Sequence, residues 1–298
     1  MMSKPEMIAV HCLSDHLKLW VMGSDGTLVA QRAGDSPASS DHAALQQAIL
    51  RLLDGEIAHG QNLSVICCGH ELGGAASVPC GIGAWEDAPY LPADQPGLSG
   101  ITYLPGIVQQ RPAARLSGEE TAIAGFLIQN EKFDGVALCL TPAQSSWVHI
   151  SASEAVSFRN FVTPQLSAAL SPPMNAKAEA DGIADDSDFL GAVEQAMTRP
   201  AAIAAEIGSI RAEMQLSALP ADRARARLNG LLIGIELAAA RPYWLGQQVA
   251  VIGDGPWTGL YSGALSAQGL QPRQVSSSAM TLAGMARAHM AKERGKTT

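Results

Sequence analysis

Two adjacent carboxylates, Glu119 and Glu120, follow Ser117 and Gly118 at the start of an apolar run. A carboxylate placed there can accept the proton of an attacking hydroxyl group, and Glu119 is the candidate for that work. The alternative is structural: Glu119 then only complements the helix dipole, while Glu120, three residues after Ser117, closes a capping box. Asp15, in a turn after the first apolar run, is a second candidate catalytic carboxylate, or else a solvated turn residue. Arg159 and Arg211 each carry a planar fork suited to a carboxylate, either on a bound acid or on a structural partner. Trp85 and Tyr90 can wall a small-molecule pocket or anchor their own loop. His11 lies in a buried strand, as catalyst or as hydrogen-bonded core, and Glu236 sits inside an apolar helix where it needs a partner.

Other chemistries find less support. The seven histidines and five cysteines show no C-x-x-C or H-x-x-x-H spacing, so metal-dependent hydrolysis has no ligand set behind it. The cysteines read as reduced core thiols, with Cys67 and Cys68 on opposite faces of one strand. A net charge of -8 without a basic cluster disfavours nucleic acid as a partner. No apolar run reaches the length of a membrane span, and the residues before the first strand lack the apolar core of a secretory signal. A soluble, cytoplasmic protein is the expectation, and the sequence leaves open whether it forms a homo-oligomer.

The elements that must position these residues follow a repeated pattern. At 298 residues the chain is long enough to divide into two domains. Met7 to Gly23, then a tight turn at Asp25-Gly26, predict a three-strand meander; a helix capped around Asp41 and the buried strand NLSVICCG follow. Residues 69–112 are rich in Gly and Pro yet carry Trp85, Tyr90 and Tyr103, the signature of a site or lid rather than a spacer. A helix opening at Ser117 with its capping box comes next. Strands at GVALCLTP, SSWVHIS and EAVSFRNFVTP, several helices, the strand QQVAVIGDG and a final helix then repeat the first pattern. The stretch near 171–188 reads as a mobile surface loop. The expected organisation is an N-terminal domain over 1–117, a linking helix over 118–134 and a C-terminal domain over 135–298.

Several of these strings resemble one family. Trp85-Glu86-Asp87-Ala88-Pro89-Tyr90 and Gly118-Glu119-Glu120-Thr121 are similar to segments of the 2-dehydro-3-deoxygalactonokinases, within the sugar kinase/actin/Hsp70-like superfamily. Phe158 to Thr163 resembles the family's FRTFMTGE, Ser209-Ile210-Arg211 its SVR, and Asn229 to Glu236 its SGLLIGAE. Val251-Ile252-Gly253 with Leu260-Tyr261 resembles its C-terminal nucleotide-side strand and helix. The resemblance implies an α/β fold of two ribonuclease-H-like lobes with a cleft between them. It also implies ATP and Mg²⁺ as cofactors, and phosphoryl transfer to 2-dehydro-3-deoxy-galactonate or a related 2-keto-3-deoxy sugar acid in galactonate catabolism. Carried onto this chain, Glu119 and Asp15 are the catalytic positions, and Trp85, Tyr90, Arg159 and Arg211 touch the sugar acid. Ser14, Ser145, Gly253 and Gly255 touch the nucleotide.

The chain departs from the family at its phosphate loops. Where the family reads DWGTTNLR this sequence runs His11-Cys12-Leu13-Ser14-Asp15-His16-Leu17-Lys18, with His for the acid and Leu for the glycine. Where the family reads PGTHSKW it runs Thr141-Pro142-Ala143-Gln144-Ser145-Ser146-Trp147, and Ser117 replaces an Arg. Glycine admits close approach of backbone amides to phosphate oxygens, and proline offers no amide. Two functions follow: a kinase with a weakened phosphate clamp, or a kinase-fold protein that binds a sugar acid or a partner without transferring phosphate.

Overall fold

A computed structural model of the chain describes residues 5–14, 16–24, 26–37, 41–53, 62–171, 187–217 and 219–296, with side chains described as far as 294. Asp15 and most of the 171–188 stretch lie outside the described residues. The chain divides into two compact units, one of Met1–Phe133, Ala152–Val156 and Ser278–Thr298, the other of Asp134–Ser151 and Ser157–Ser277.

In the first unit β1 (Pro5–Cys12), β2 (His16–Gly23) and β3 (Leu28–Asp35) form the meander read from the sequence. The Asp41 side chain caps α1 (His42–Leu52) by accepting from Ala43 N at 3.2 Å. After β4 (Leu63–Cys68) come the short strands β5 (Ala75–Ser77), β6 (Cys80–Gly81) and β7 (Tyr90–Pro92), then β8 (Leu98–Tyr103). β9 (Gly106–Gln110), β10 (Ala113–Leu116) and α2 (Glu119–Gln129) complete the run. The main sheet has the order β3-β2-β1-β4-β8-β7, with β1, β4 and β8 parallel. Three-strand β10-β9-β5 is a separate sheet.

Strand alternation gives this sheet two buried faces. Ile8, Val10, Leu17, Leu19, Val65 and Cys67 pack with Leu45 and Ile49 of α1. Met7, Ala9, Trp20, Ile66 and Cys68 face the other way and pack with Met285 and Ala288. Cys67 and Cys68 thus lie on opposite faces, and all five cysteines are free thiols.

In the second unit β11 (Gly135–Leu140), β12 (Ser145–Ser151) and β13 (Glu154–Phe161) form another meander, whose tip at 152–156 belongs to the first unit and pairs there with β6. Then come α3 (Thr163–Leu170), α4 (Ser187–Thr198), α5 (Ile203–Leu216), α6 (Ala221–Ala239) and α7 (Arg241–Trp244). β14 (Val249–Ile252), α8 (Pro256–Ala267) and β15 (Arg273–Val275) close the unit, in the strand order β15-β14-β11-β12-β13. That is the order of the first sheet again: meander, then two parallel strands beside the first strand of the meander. This repeated sheet, with helices on its faces, is the ribonuclease-H-like arrangement, and the fold is α/β.

Two boundaries differ from the sequence expectation. α2 lies inside the first unit, where a Cβ on Gly125 would collide with Met280 O and one on Gly284 with Thr121 O. Met280 and Gly284 lie on α9 (Ser277–Lys296), which counts with the first unit from Ser278 onward. Gly230 and Gly234 play the matching part in the second unit, one turn apart on α6, where side chains would strike the carbonyl oxygens of Phe189 and Val193 on α4. The N-G-L-L-I-G string is thus a helix-packing surface. No helix among the described residues is long and apolar enough to cross a membrane.

Candidate active site

In each unit some of the candidate residues lie at or just beyond the C-terminal ends of the parallel strands, the edge where open α/β sheets place their ligands. In the first unit, β1 ends in His11 and Cys12, β4 ends in Cys68 with Gly69 following it, and α2 begins beside them. Gly69 has φ +78°, and a side chain there would collide with Cys12 O and lie 3.2 Å from Ser117 O. Gly118 has φ +111°, and its absent side chain leaves room for the His11 imidazole. A glycine is needed at both, because only it reaches this backbone region while another chain passes so close.

The capping box expected at Ser117 is corrected. Gly118 is the N-cap residue of α2 and no side chain caps it. Instead the two glutamates turn back: Glu119 Oε2 accepts from Ser117 N at 2.7 Å, and Glu120 accepts from Gly118 N at 3.0 and 2.9 Å. Both are buried, Glu119 to 7% exposure and Glu120 to 2%. Burial, with Glu119 beside it, pushes the Glu120 carboxyl up to about 8. Glu120 therefore keeps its proton at neutral pH. His11 is driven down to about 4 by burial, with Lys18 and His16 adding to the effect, so it is a neutral ring. Burial also pushes the Cys67 and Cys68 thiols up, which leaves neither as a thiolate nucleophile.

In the second unit the corresponding edge holds the β14–α8 junction, Gly253-Asp254-Gly255-Pro256. A Cβ on Gly253 would sit 2.6 Å from Thr258 Oγ1, a buried hydroxyl oxygen with no hydrogen-bond partner. Gly255 has φ +80° and stands exposed immediately before α8. Glycines and a hydroxyl at the positive end of a twelve-residue helix form a cradle of the kind that takes phosphate.

Both hairpin turns at these edges are tightly closed. Leu13 N donates to His16 O at 2.9 Å, and Thr141 N donates to Gln144 O at 2.9 Å. Gln144 N in turn donates to Thr141 Oγ1 at 3.0 Å. Since Pro142 has no N–H, Ala143 is the one residue of the second turn whose amide is not taken up by the turn itself.

Beneath that turn lies a buried carboxylate. Glu236 accepts from Ser145 Oγ and Trp147 Nε1 at 2.7 Å each, and from Tyr261 OH at 2.6 Å. Burial pushes its carboxyl up, against the opposing effect of these bonds and one from Thr163. The expectation that Ser145 contacts nucleotide is corrected: the residue is fully buried and its hydroxyl is committed to Glu236. Gly253, also buried, acts by leaving space, whereas Ser14 and Gly255 are exposed.

Trp85 packs half-buried against the core face that Met7 and Met285 share. Tyr90, 46% exposed, donates to Ser99 O at 2.9 Å while Lys292 Nζ sits 3.8 Å above its ring. Both are placed as loop anchors, with Tyr90 still presenting one face to solvent. Arg159 on β13 and Arg211 on α5 are exposed and form no ion pair among the described residues. Arg223 pairs with Asp188 and Arg227 with Glu213. Sequence reasoning missed Thr258 and His70, since a lone Thr or His carries no spacing signal.

A family model described as 2-keto-3-deoxy-galactonokinase matches residues 14–288. The chain belongs to this family. A Rhizobium meliloti (strain 1021) protein named as a probable 2-dehydro-3-deoxygalactonokinase is 29% identical over 303 residues, covering 94% of this chain and 95% of the relative. A crystal structure from Sinorhizobium meliloti, provisionally named a 2-dehydro-3-deoxygalactonokinase, superposes with a TM-score of 0.81 at 26% identity, covering 96% of each chain. The activator of a Clostridium difficile 2-hydroxyisocaproyl-CoA dehydratase, solved with ADPNP, matches at a TM-score of 0.55 and 10% identity over 98% of this chain and 97% of its own. That last likeness shares the fold alone. The chain is a kinase-family member built on the actin-like scaffold, as its motifs implied.

Proposed function

We propose that this protein is an ATP-dependent kinase of 2-dehydro-3-deoxy-galactonate or a close 2-keto-3-deoxy sugar acid, with turnover limited by its phosphate contacts. The observation that carries this reading is the family match over residues 14–288, joined to a carboxylate held at the C-terminal edge of the first sheet. When bound, ATP supplies the γ-phosphoryl group that the acceptor hydroxyl receives. The Ser117 amide orients the Glu119 carboxylate, which takes the proton of that hydroxyl as general base. The α8 N-terminus, Gly255 and Thr258 Oγ1 supply donors for phosphate oxygens, and Gly253 keeps the cradle open. Among the described residues no group of three or more His, Cys, Asp or Glu forms a metal cage. Mg²⁺ typically binds through phosphates, waters and one or two carboxylates. Arg159 and Arg211, without carboxylate partners among the described residues, are the anion-recognition candidates.

A second reading is favoured by the closed turns: a binder of the sugar acid that transfers nothing. Phosphoryl transfer depends on donors aimed at developing charge, each contributing about 2.7–4 kcal/mol in well-studied sites. Self-satisfied amides at Leu13, Thr141 and Gln144 remove such donors. The deciding experiment measures ATP binding, sugar-acid binding and phosphorylation together. The kinase reading expects Glu119→Gln to lower kcat by about 10²–10⁴-fold with little change in sugar-acid affinity. Sugar-acid binding without ATP binding selects the second reading. Wild-type turnover in the ordinary range of ~1–10³ per second rejects a weakened clamp.

A further inference from the structure

His70 follows Gly69 at the end of β4 and opens the 3-10 turn Glu71–Gly73. Leu72 N donates to its Nδ1 at 3.3 Å, so Nδ1 carries no proton and the proton of the neutral ring is on Nε2. Burial holds the imidazole below its usual range, which keeps the ring neutral at pH 7. The residue is 8% exposed, and its buried Nε2 has no hydrogen-bond partner.

Its neighbours do not supply one. The His70 ring lies against Tyr103, with centroids 5.0 Å apart. Tyr103 OH is 2.7 Å from His42 Nδ1, while His42 Nε2 is 3.0 Å from Pro92 O. A carbonyl only accepts, so His42 donates from Nε2 to Pro92 O, and its Nδ1 is hydrogen-bonded to the Tyr103 hydroxyl. His70 Nε2–H is itself a donor and needs an acceptor, and it has none among the described residues. A buried donor left unpaired costs folding free energy, and such groups in native proteins call for an explanation. Gly69 seats this turn against Cys12 O and Ser117 O, at the edge that carries Glu119. With Glu71 next in sequence and Glu119 on that edge, the surroundings favour a neutral oxygen over an anionic one.

We infer that His70 is a specificity-determining residue whose Nε2–H donates to the keto oxygen or a hydroxyl of the acceptor sugar acid. The inference rests on the kinase reading above. It is tested by titrating 2-dehydro-3-deoxy-galactonate into wild type, His70→Phe and His70→Gln, with melting temperatures measured on each free protein. Phe keeps a ring beside Tyr103 and removes the donor; Gln keeps a donor; His70→Leu gives the same deletion should Phe fail to fold. Expected are about ten- to hundredfold weaker binding in Phe, partial recovery in Gln, and a free-protein melting temperature in Phe no lower than wild type. Equal affinities in all three overturn the inference alone, as does a marked loss of melting temperature in the donor-free variants, which would make the ring structural. Wild type that binds none of the 2-keto-3-deoxy sugar acids overturns the substrate reading and this inference with it.

Discussion

The two units repeat one sheet, yet each buries its carboxylate in a different way. Glu236 is held by the side chains of Ser145, Trp147 and Tyr261, drawn from β12 and α8. Glu120 is held mainly by the backbone amide of Gly118, at the start of its own helix, beside a second carboxylate. The first arrangement ties three elements together and makes Glu236 part of the core. The second is local and electrostatically opposed, and it sits at the edge where chemistry is expected. A shared scaffold thus gives one unit a structural acid and the other a buried acid raised to about 8 beside a second carboxyl group.

The largest expected effect tests the structural half of that contrast. Glu236→Leu leaves the Ser145, Trp147 and Tyr261 donors unpaired in the core, and denaturant unfolding should show a loss of about 3–5 kcal/mol. A loss under about 1 kcal/mol would show that the network is not structural and would remove the contrast.

Glu120→Gln addresses the other half. Its folded value, raised to about 8 from an ordinary 4.5, means the folded state binds the proton more tightly than the unfolded state. Its contribution is fully present below pH 4.5 and is lost as pH rises through 8, a slope worth on the order of 4 kcal/mol by pH 8. The variant should flatten that slope and be more stable than wild type at pH 8, read from unfolding at several pH values. An unchanged slope would show that Glu120 ionises normally.

His11 gives the opposite sign. Its folded value of about 4 lies below the ordinary 6.5, so the unfolded state gains the proton first on acidification. Stability should fall by about 3 kcal/mol between pH 6.5 and pH 4, and His11→Asn should remove that part of the acid limb. A variant with the wild-type acid limb would place the ring in contact with water.

The smallest effect concerns a feature the units share. Gly125→Ala in the first unit and Gly230→Ala in the second each put a Cβ against a facing carbonyl oxygen and should cost about 1–3 kcal/mol. A gain in stability at either, as expected of Gly→Ala in an uncrowded helix, would show that those helices do not pack so closely.

The sequence by itself determined the elements and the family. Strand alternation in Met7 to Gly23 and the Asp41 cap are local signals, legible because backbone propensity and burial period act over a few residues. The ordered motifs from Trp85 to Tyr261 carried the kinase assignment, since they record descent rather than contact. Tertiary structure decided what each motif residue does. Ser145 has the residue type of a phosphate contact, and only the approach of α6 and α8 commits its hydroxyl to Glu236. The Ser117-to-Glu120 spacing matched a capping box, but Gly118 at φ +111° shifted the helix start by one residue, because His11 occupies the space a side chain would need. Nor does any local pattern place α9 with the first unit, or strand the His70 proton without a partner. Those outcomes depend on which surfaces meet across long stretches of chain, and hydrophobic burial, being non-directional, does not specify them in advance.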